Sequence, residues 1–260
     1  MNIAKGIYKK IFSEKIRINN RKSLNKLSKY FLKGNDFYCN CCGQNFRSFL
    51  KKSNGIETRN NAECPNCGSL ERTRVLLEFL RNETDLFSKP NSLLHIAPED
   101  ALKDIFKKSK TIEYINGDIN KNFADEIIDI TAINYPDNKF DYIICSHVLG
   151  HIPDEKLAID ELYRVLKPNG KAFILTPIHP LNNTFEDKNL IDEHERLLNY
   201  GEKDLLRLHG QDFEERLKRE RFNISKIDYR QYIPKDYAKK LSVGDGYREL
   251  IFVSQKEKLE

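Results

Sequence analysis

The sequence lacks tryptophan, has a single methionine and contains no long run of apolar residues. No stretch approaches the ~20 apolar residues that a helix needs to cross a bilayer, which argues against a membrane-spanning enzyme. The charged N-terminus is not followed by the apolar core of a secretory signal. Hydrophobic residues make up 39% and charged residues 32% of the chain, as is typical of a globular enzyme. We therefore expect a cytoplasmic protein.

Acidic residues are scarce in the first 34 positions, where ten Lys and Arg stand against Glu14 alone. That segment carries +9 and the whole chain +5, so the rest carries 5 − 9 = −4. Apolar residues recur in it at loosely helical spacing, and we predict a basic helical arm over residues 1–35. The favoured interpretation is a docking helix with a Lys-rich solvated face. The alternative is an arm that binds phosphates or a membrane surface.

Six cysteines without an export signal favour thiols or a metal over disulfides. Two Cys-x-x-Cys-Gly knuckles lie within residues 36–68, and four thiolates converging at tetrahedral spacing bind zinc in a closed site. We predict a zinc ribbon in which a structural Zn²⁺ replaces the core that so short a module lacks. Its ligands are Cys39, Cys42, Cys64 and Cys67. Cys41 is interpreted as a spare thiol and Cys145 as a buried residue of a core strand.

A helix is predicted directly after the second knuckle, with Ser69 as its N-cap and Leu70, Val75 and Leu76 on its apolar face. We expect this helix to couple the zinc ribbon to the remaining domain, residues 69–260. Two interpretations of Arg72 and Arg74 stay open. They are surface or knuckle-capping charges, or they face a substrate.

A glycine-rich nucleotide motif is also missing. Residues 92–119 predict a strand at 93–96, a turn, a helix and a second strand at 112–115, with Asp118 beyond it. A carboxylate in that place can accept from both ribose hydroxyls, but no G-x-G-x-x-G lets the backbone approach a pyrophosphate. NAD and FAD are therefore disfavoured, and S-adenosylmethionine is the commonest cofactor of the kind that remains.

The rest of the chain alternates strands and helices around one interruption. Strands are predicted near 126–129 and at 140–145, 171–176, 223–229 and 248–254, and helices at 155–167 and 211–221. The apolar strand at 140–145 suits a central parallel position. Residues 177–210 are rich in charge and histidine, and we interpret them as an insertion or lid.

Four stretches carry a resemblance to a known family. They are CPNCGSLERTR at 64–74, LHIAPE at 94–99, HVLGHIPDEKLAIDELYRVLKPNGKAFILTPI at 147–178 and FEDKNLIDEHER at 185–196. The chain resembles class I SAM-dependent methyltransferases of the type 11 kind, in a bacterial subgroup with an N-terminal zinc ribbon. The resemblance implies an α/β, Rossmann-like fold with seven strands in the order 3-2-1-4-5-7-6, strand seven being antiparallel. Members of the subgroup tend to sit among genes for surface polysaccharide modification.

The resemblance also implies a cofactor site above the first two strands, with S-adenosylhomocysteine as the product. The implied cofactor-binding residues are His95, Ala97, Pro98, Glu99, Asp118, Ile119, Asp129, Ile130, Ser146 and His147. Two positions depart from the family pattern. Gly150 stands where the family usually has Glu, and Leu205 stands where we expect His.

Methyl transfer to an alcohol or phosphate-type acceptor benefits from a general base, and histidine is the usual one near neutral pH. The candidate catalytic residues are His147, His151, His179 and Asp187. The three histidines follow predicted strands at the edge where open α/β sheets bind ligands. For each, packing or a backbone hydrogen bond is the competing interpretation. No (N/D)-P-P-(Y/F) motif follows strand four, which disfavours methylation of base amines.

Three functions remain open. The favoured one is a methyltransferase, most simply O-directed, for a small molecule or glycan building block, including phosphate-bearing or phosphoramidate groups of surface polysaccharides. The second is an RNA methyltransferase that binds RNA through the zinc ribbon and basic arm. The third is a non-catalytic protein with the same fold.

Overall fold

The computed structural model describes residues 16, 20, 27–54 and 56–258. Most of the predicted basic arm lies outside the described residues, although positions 27–31 are helical. In the described part of the chain, no helix has the length and apolar character needed to cross a membrane.

Residues 33–67 form a small module of two antiparallel hairpins. Strand β1 (Lys33–Cys39) pairs with β2 (Gln44–Phe46), and β3 (Leu50–Ser53) pairs with β4 (Thr58–Glu63). A knuckle follows β1 and another follows β4, and each ends in a left-handed glycine, Gly43 at φ +68° and Gly68 at φ +73°. Each glycine amide donates to the carbonyl of the knuckle's first cysteine, at 2.7 Å for Cys39 and 2.9 Å for Cys64. Glycine adopts this turn without the strain of a Cβ, so the two cysteines of each knuckle face the same way.

A seven-stranded sheet forms the rest of the protein's frame. Its strands are β5 (Asn91–Ile96), β6 (Ile112–Asp118), β7 (Glu126–Ile127), β8 (Phe140–Ser146), β9 (Leu166–Leu175), β10 (Phe222–Ile227) and β11 (Ile251–Lys256). The spatial order is β10-β11-β9-β8-β5-β6-β7. Strands β5 to β9 pair in parallel, and β11 is antiparallel to both neighbours. Numbered one to seven along the chain, the strands follow the order 3-2-1-4-5-7-6 from one edge.

Helices cover both faces of this sheet because its central strands are apolar on both sides. All six residues of β5 are buried. The helices are α1 (Glu71–Glu83), α2 (Asp100–Lys108), α3 (Glu155–Val165), α4 (Glu193–Tyr200), α5 (Phe213–Leu217) and α6 (Lys235–Leu241). One apolar cluster joins α3 and α5 to the sheet, including Leu94 and Ile143, and the other joins α1, α2 and α6, including Leu93 and Ile144. Adjacent residues of one strand thus belong to opposite layers, as the two-residue period requires.

Several predicted boundaries were wrong. Ser69 is not the N-cap of α1, because the helix begins one residue later and the Leu70 amide donates to the Thr73 hydroxyl at 3.2 Å. Helix α3 ends at Val165, earlier than predicted, since Pro168 lacks the amide that an α-helix needs. Helix α5 spans five residues only. Sequence reasoning missed α4 and α6 altogether.

Arg74 joins the module, the sheet domain and the C-terminal segment. Its guanidinium is fully buried and donates to four carbonyls, those of Ala62 (3.1 Å), Ser69 (2.7 Å), Leu241 (2.6 Å) and Ser242 (2.9 Å). A buried cation is stable only when its donors are satisfied, and here each nitrogen has a carbonyl. Of the two interpretations of Arg74, the structural one therefore fits.

Candidate active site and metal centre

The four knuckle cysteines meet in space. Their sulfur atoms all lie within 4.8 Å of one another, with Cys39 Sγ at 3.5 Å from Cys67 Sγ and Cys42 Sγ at 3.8 Å from Cys64 Sγ. All four are free thiols. The hydrophobic core around them is small, with Phe46 and Phe49 as its large members. Four converging sulfurs are the donor set that structural zinc prefers, so the residues fit the predicted metal.

Two neighbours complete this cysteine cluster. Ser69 Oγ lies 3.1 Å from Cys39 Sγ, which explains why Ser69 is not available as a helix cap. Cys41 does not belong to the four-sulfur group, and its thiol contacts Asn40 Oδ1 at 3.5 Å. Hydrogen bonds from Cys41 and from the three other sulfurs of the group lower the pKa of Cys39 far below its ordinary value, while the same group raises the pKa of Cys64 and of Cys67. The geometry thus favours the thiolate at Cys39.

The turn after β5 contributes to a hydrogen-bonded cluster of polar side chains at the carboxyl edge of the sheet. Ala97 adopts a left-handed conformation at φ +48° and its amide donates to Gly117 at 2.8 Å. Buried His95 contacts Tyr114 Oη through Nδ1 at 3.1 Å and Glu99 Oε2 through Nε2 at 3.2 Å. Both ring nitrogens of His95 are therefore engaged within the protein, and its side chain orients Glu99.

Strand β8 ends against the same carboxylate. Ser146 Oγ donates to Glu99 Oε1 at 3.0 Å, and His147 is left-handed at φ +58°. A positive φ is costly for residues other than glycine, and such strained residues cluster at functional sites. Burial lowers the pKa of His147 well below its ordinary value, and the nearby charge of Arg72 lowers it further. His147 is thus a neutral ring, with Nε2 at 3.2 Å from the Arg248 carbonyl, and it is poorly suited to take up a proton.

Asp118 stands at the end of β6 with one oxygen in use. Its Oδ1 accepts from the Asn120 amide at 2.7 Å, while Oδ2 accepts no hydrogen bond from the described residues. The adjacent Ile119 side chain is 75% exposed. A fixed carboxylate with a free oxygen, next to an exposed apolar side chain, can hold a ribose and cover a base.

Asp129 and Ile130 differ in whether their side chains can reach a bound ligand. Asp129 is exposed, and hydrogen bonds from the side chain and amide of Thr131 lower its pKa. Ile130 is buried in the core cluster against α3. The Ile130 side chain is therefore packing for the sheet, and only its backbone could meet a ligand.

A cleft of about 580 Å³ opens beside this edge, past the end of β9. The hairpin turn of the cysteine module forms one wall, the segment after β9 and the end of α4 form others, and the segment before β11 closes it. Asn54 Nδ2 donates to the Gly201 carbonyl at 2.6 Å, and Arg248 Nη2 donates to Glu57 Oε2 at 2.9 Å. These two contacts tie the module to the sheet domain across the cleft.

The lining of the cleft is apolar with a negative balance of charge. Four large apolar side chains in it stay exposed: Ile56, Leu181, Leu198 and Tyr247. Its acids are Glu57, Glu202 and Asp245, and its arginine, Arg248, is paired with Glu57. Among the described lining residues no Lys or Arg is left to neutralise a phosphate.

His151 has the geometry of a proton acceptor. Its Nδ1 lies 3.1 Å from the Asp204 carbonyl, so Nδ1 carries the proton and Nε2 keeps its lone pair. His151 is half-buried and is not itself among the residues that line the cleft, but its ring nitrogen and the carboxylates of Asp204 and the lining residue Glu202 lie within 4.8 Å of one another.

His179 and Asp187 are less favourably placed. The Leu181 and Asn182 amides donate to His179 Nδ1 at 3.3 and 3.2 Å, so its lone pair is occupied although the residue lines the cleft. Asp187 caps its own loop, since Oδ1 accepts from the Asn189 amide at 2.8 Å. Asp187 is not among the residues that line the cleft.

The insertion is anchored by a buried network that sequence reasoning did not anticipate. His209 lies between Thr176 (Oγ1 to Nδ1, 2.7 Å) and Glu155 (Oε1 to Nε2, 2.5 Å), and Arg216 Nε donates to Glu155 Oε2 at 2.8 Å. Arg207 donates to the Leu149 and Ile152 carbonyls and pairs with Glu186 at 2.9 Å. Histidine in the insertion was visible in the sequence, but its partners lie 33 to 54 residues away.

The two departures from the family pattern turn out to be neighbours. A Cβ placed on Gly150 would lie 2.7 Å from Leu205 Cδ2, and the Leu206 amide donates to the Gly150 carbonyl at 2.8 Å. Leu205 is buried. The leucine therefore occupies the space that a side chain at position 150 would need, and each departure accommodates the other.

Residues 67–174 match a family described as "Methyltransferase domain". This span covers the helix α1 and strands β5 to β8, with most of β9. Over that part of the chain, the match supports a SAM-dependent methyltransferase.

Curated relatives match over shorter stretches. The chain is 30% identical over 101 residues to the ubiquinone/menaquinone biosynthesis C-methyltransferase UbiE of Rickettsia bellii, which covers 39% of each protein. It is 28% identical over 127 residues to UbiE of Cronobacter sakazakii, covering 46% of this chain and 51% of the relative. The chain thus spans from over a third to about half the length of these two relatives.

Solved structures show a more distant likeness. The YcgJ protein of Bacillus subtilis is 13% identical, with a TM-score of 0.46 over 71% of this chain and 98% of that one. Phosphoethanolamine N-methyltransferase 2 of Haemonchus contortus, solved with S-adenosyl-L-methionine, is 15% identical, with a TM-score of 0.45 over 71% and 52%. Similarity at this level does not say what the present chain does.

Proposed function

We propose that the protein is a SAM-dependent methyltransferase for a small-molecule acceptor. The observation that carries the proposal is Asp118, a carboxylate past the second core strand with one free oxygen and an exposed apolar neighbour, within the stretch that matches a methyltransferase domain. S-adenosylmethionine supplies an electrophilic methyl group when bound. Asp118 would hold the ribose hydroxyls, Ile119 would cover the adenine, and Glu99 and Ser146 would shape the methionine end.

The chain's own contribution to the reaction is to place the acceptor and receive its proton. An in-line displacement depends mainly on alignment and on exclusion of water. The cleft past β9 adjoins the cofactor edge, because His147 at the end of β8 contacts the backbone of the cleft residue Arg248. We assign His151 as general base, since Nδ1 donates to the Asp204 carbonyl and Nε2 has no hydrogen-bond partner among the described residues.

The cleft indicates the acceptor's character. With an apolar rim, three acids and one paired arginine, it favours an uncharged acceptor over a phosphate-bearing one. Our first candidate acceptor is a hydroxyl group of a neutral sugar unit of a surface polysaccharide, in keeping with the family resemblance. The acidic cleft makes a phosphoramidate-bearing acceptor a weaker candidate. The exposed apolar side chains favour a second candidate, an apolar ring of the kind named in the quinone-pathway relatives.

We propose that Cys39, Cys42, Cys64 and Cys67 hold a structural zinc ion. Four thiolates leave no open position for a reacting group, so the metal would stabilise the module without taking part in catalysis. An RNA acceptor receives less support, because the cleft is acidic. Binding of RNA that weakens steeply with salt would reverse this preference.

The first test is calorimetric titration of the zinc-loaded protein with S-adenosylhomocysteine. Asp118→Ala should lower the affinity at least about tenfold, because two charge-assisted hydrogen bonds to the ribose are lost. Asp104→Ala, an exposed acid on α2, is the matched control and should bind as wild type does. Unchanged affinity in Asp118→Ala would refute the ribose role. No binding by the wild-type protein would favour the non-catalytic alternative.

The second test concerns the base. After an acceptor screen with neutral sugars, phosphorylated sugars, sugar nucleotides and small quinols, turnover of His151→Ala should fall about 10²- to 10⁴-fold, the usual contribution of a general base. Affinity for S-adenosylhomocysteine should stay within twofold. His194→Ala, in the exposed helix α4, serves as control. A fully active His151→Ala would remove this residue as base.

A further inference from the structure

Arg72 is a largely buried cation whose donors are mostly unused. It is the second residue of α1, and its side chain is 16% exposed. Its Nε is buried without a hydrogen bond, and its recorded ion pair is the Nε contact to Glu99 Oε1 at 3.4 Å. In the described part of the chain, the two terminal nitrogens donate to no protein group. A guanidinium offers five N–H donors in a rigid fork, so most of this fork is available to a ligand.

Arg74, on the same helix, contrasts with Arg72 because its hydrogen-bond donors are paired within the protein. All three of its nitrogens donate to carbonyls, at 2.6 to 3.1 Å. Glu99 alone cannot satisfy Arg72 in that way, because its two oxygens already accept from Ser146 and contact His95. Leaving buried donors unpaired costs free energy, and an unsatisfied group of this kind in a native structure needs a physical explanation, which a ligand partner would supply.

The position of the Arg72 charge identifies the place where that partner lies. The guanidinium is within electrostatic reach of both Glu99, in the turn after β5, and His147, at the end of β8. These are the two strand ends that frame the methionine end of the proposed cofactor site. A planar fork at this junction matches a carboxylate, which it can bind through two parallel hydrogen bonds.

We propose that Arg72 binds the carboxylate of the methionine portion of S-adenosylmethionine, an inference that rests on the proposed function. The arginine is delivered by the cysteine module. The Cys64 amide donates to the Ser69 carbonyl at 2.9 Å, and Ser69 Oγ contacts Cys39, so α1 begins directly on the cysteine cluster. The module thereby positions a cofactor-binding group as well as one wall of the cleft.

The test compares two ligands that differ in the carboxylate alone. S-adenosylhomocysteine and its decarboxylated form, S-adenosyl-3-thiopropylamine, are titrated calorimetrically into the zinc-loaded wild type, Arg72→Gln, Arg72→Lys and Arg81→Gln. In wild type, S-adenosylhomocysteine should bind about 10- to 100-fold more tightly than the amine. Arg72→Gln should lose most of that preference, chiefly through weaker binding of S-adenosylhomocysteine. Arg72→Lys should recover part of it, and Arg81→Gln, an exposed change on the same helix, should keep it.

Each outcome decides between distinct conclusions. Equal loss of both ligands in Arg72→Gln with an unchanged melting temperature would show a general positioning role and overturn the carboxylate contact. A wild-type preference that survives in Arg72→Gln would overturn it as well. If wild type binds neither ligand, the proposed function fails and the inference falls with it.

Discussion

The cysteine module and the seven-stranded sheet hold their shapes by different means. The sheet lies between two large apolar clusters, and burial of apolar surface stabilises it in the usual way. The module's buried cluster contains Cys39, Phe46, Phe49 and Cys64, which is too little for a unit of this size. The chain thus combines a domain that its apolar core stabilises with a module that depends on its proposed metal.

Removal of the metal should produce the largest difference between the two regions. Structural zinc contributes roughly 10–16 kcal/mol in small zinc peptides, so we expect Cys39→Ser or chelation of zinc to unfold the module while the sheet persists. Hydrogen exchange measured by mass spectrometry should show fast exchange over residues 33–67 and retained protection over 91–96 and 140–146. Equal loss of protection in both regions would contradict the separation.

The joint between the two regions is the next target. Arg74→Ala removes the arginine donor from the carbonyls of Ala62, Leu241 and Ser242, whereas the Ser69 carbonyl still accepts from the Cys64 amide. At ~1–3 kcal/mol for each unsatisfied group, we expect a loss of at least about 3 kcal/mol in the free energy of unfolding. Urea denaturation followed by circular dichroism measures this loss. Arg81→Ala, an exposed change on the same helix that loses one long hydrogen bond, 3.4 Å to the Asn40 carbonyl, should cost less than about 1 kcal/mol. A similarly small cost for Arg74→Ala would show that the joint adds little.

Acid should weaken the sheet domain at the anchor of the insertion. Burial alone would raise the pKa of Glu155, but the hydrogen bond from His209 and the charges of His209 and Arg216 outweigh it, so the pKa is lowered. Burial also lowers the pKa of His209. Because both folded-state values lie below the unfolded ones, this anchor stabilises the fold above about pH 6.5 and loses strength as the pH falls through the lowered values.

We therefore expect the free energy of unfolding to decline between pH 7 and 4, and to decline less below pH 5 in Glu155→Gln. Urea titrations at four pH values, read from the unfolding of the sheet, measure the slope. Glu220→Gln, an exposed acid, should keep the wild-type slope. An unchanged slope in Glu155→Gln would show that another group controls the acid response.

We expect the smallest effect from substitution of Cys41, the module's fifth cysteine. Cys41 lies between two cluster cysteines in sequence but outside the four-sulfur group in space. Cys41→Ser should keep the zinc content and lower stability by less than about 1 kcal/mol, in contrast to Cys39→Ser. Metal content by elemental analysis and thermal denaturation give the answer. Loss of zinc in Cys41→Ser would mean that this thiol is a ligand.

Local patterns predicted much of the framework. Buried strands such as β5 and β8 were found because parallel central strands are continuous apolar runs. The four-cysteine cluster was found because the knuckle spacing brings each pair of thiols together within one turn. The helices α4 and α6 were missed, because both are short, lie in segments rich in charge and lack a wide apolar face.

Roles that depend on distant partners could not be predicted. Arg72 and Arg74 are two residues apart and looked equivalent, yet Arg74 is satisfied by carbonyls as far away as Ser242 while Arg72 keeps free donors. His151 and His179 both follow core strands, but only the fold shows that the lone pair of His179 is occupied. Hydrogen-bond partners of this kind are set by tertiary packing and leave no local signal.

Sequence patterns alone predicted the core strands β5 to β11 with helices α1, α2, α3 and α5, the pairing of the two knuckles and the carboxylate past the second core strand. Those features rest on periodicity and spacing over a few residues, where the backbone's geometry leaves few choices. The contacts made in the folded protein were needed to see that Arg72 has unused donors and that His151 keeps a lone pair. They also explain why Gly150 and Leu205 both differ from the family pattern. Each of these depends on residues brought into contact from distant parts of the chain, and on the cost of leaving a buried polar group without a partner.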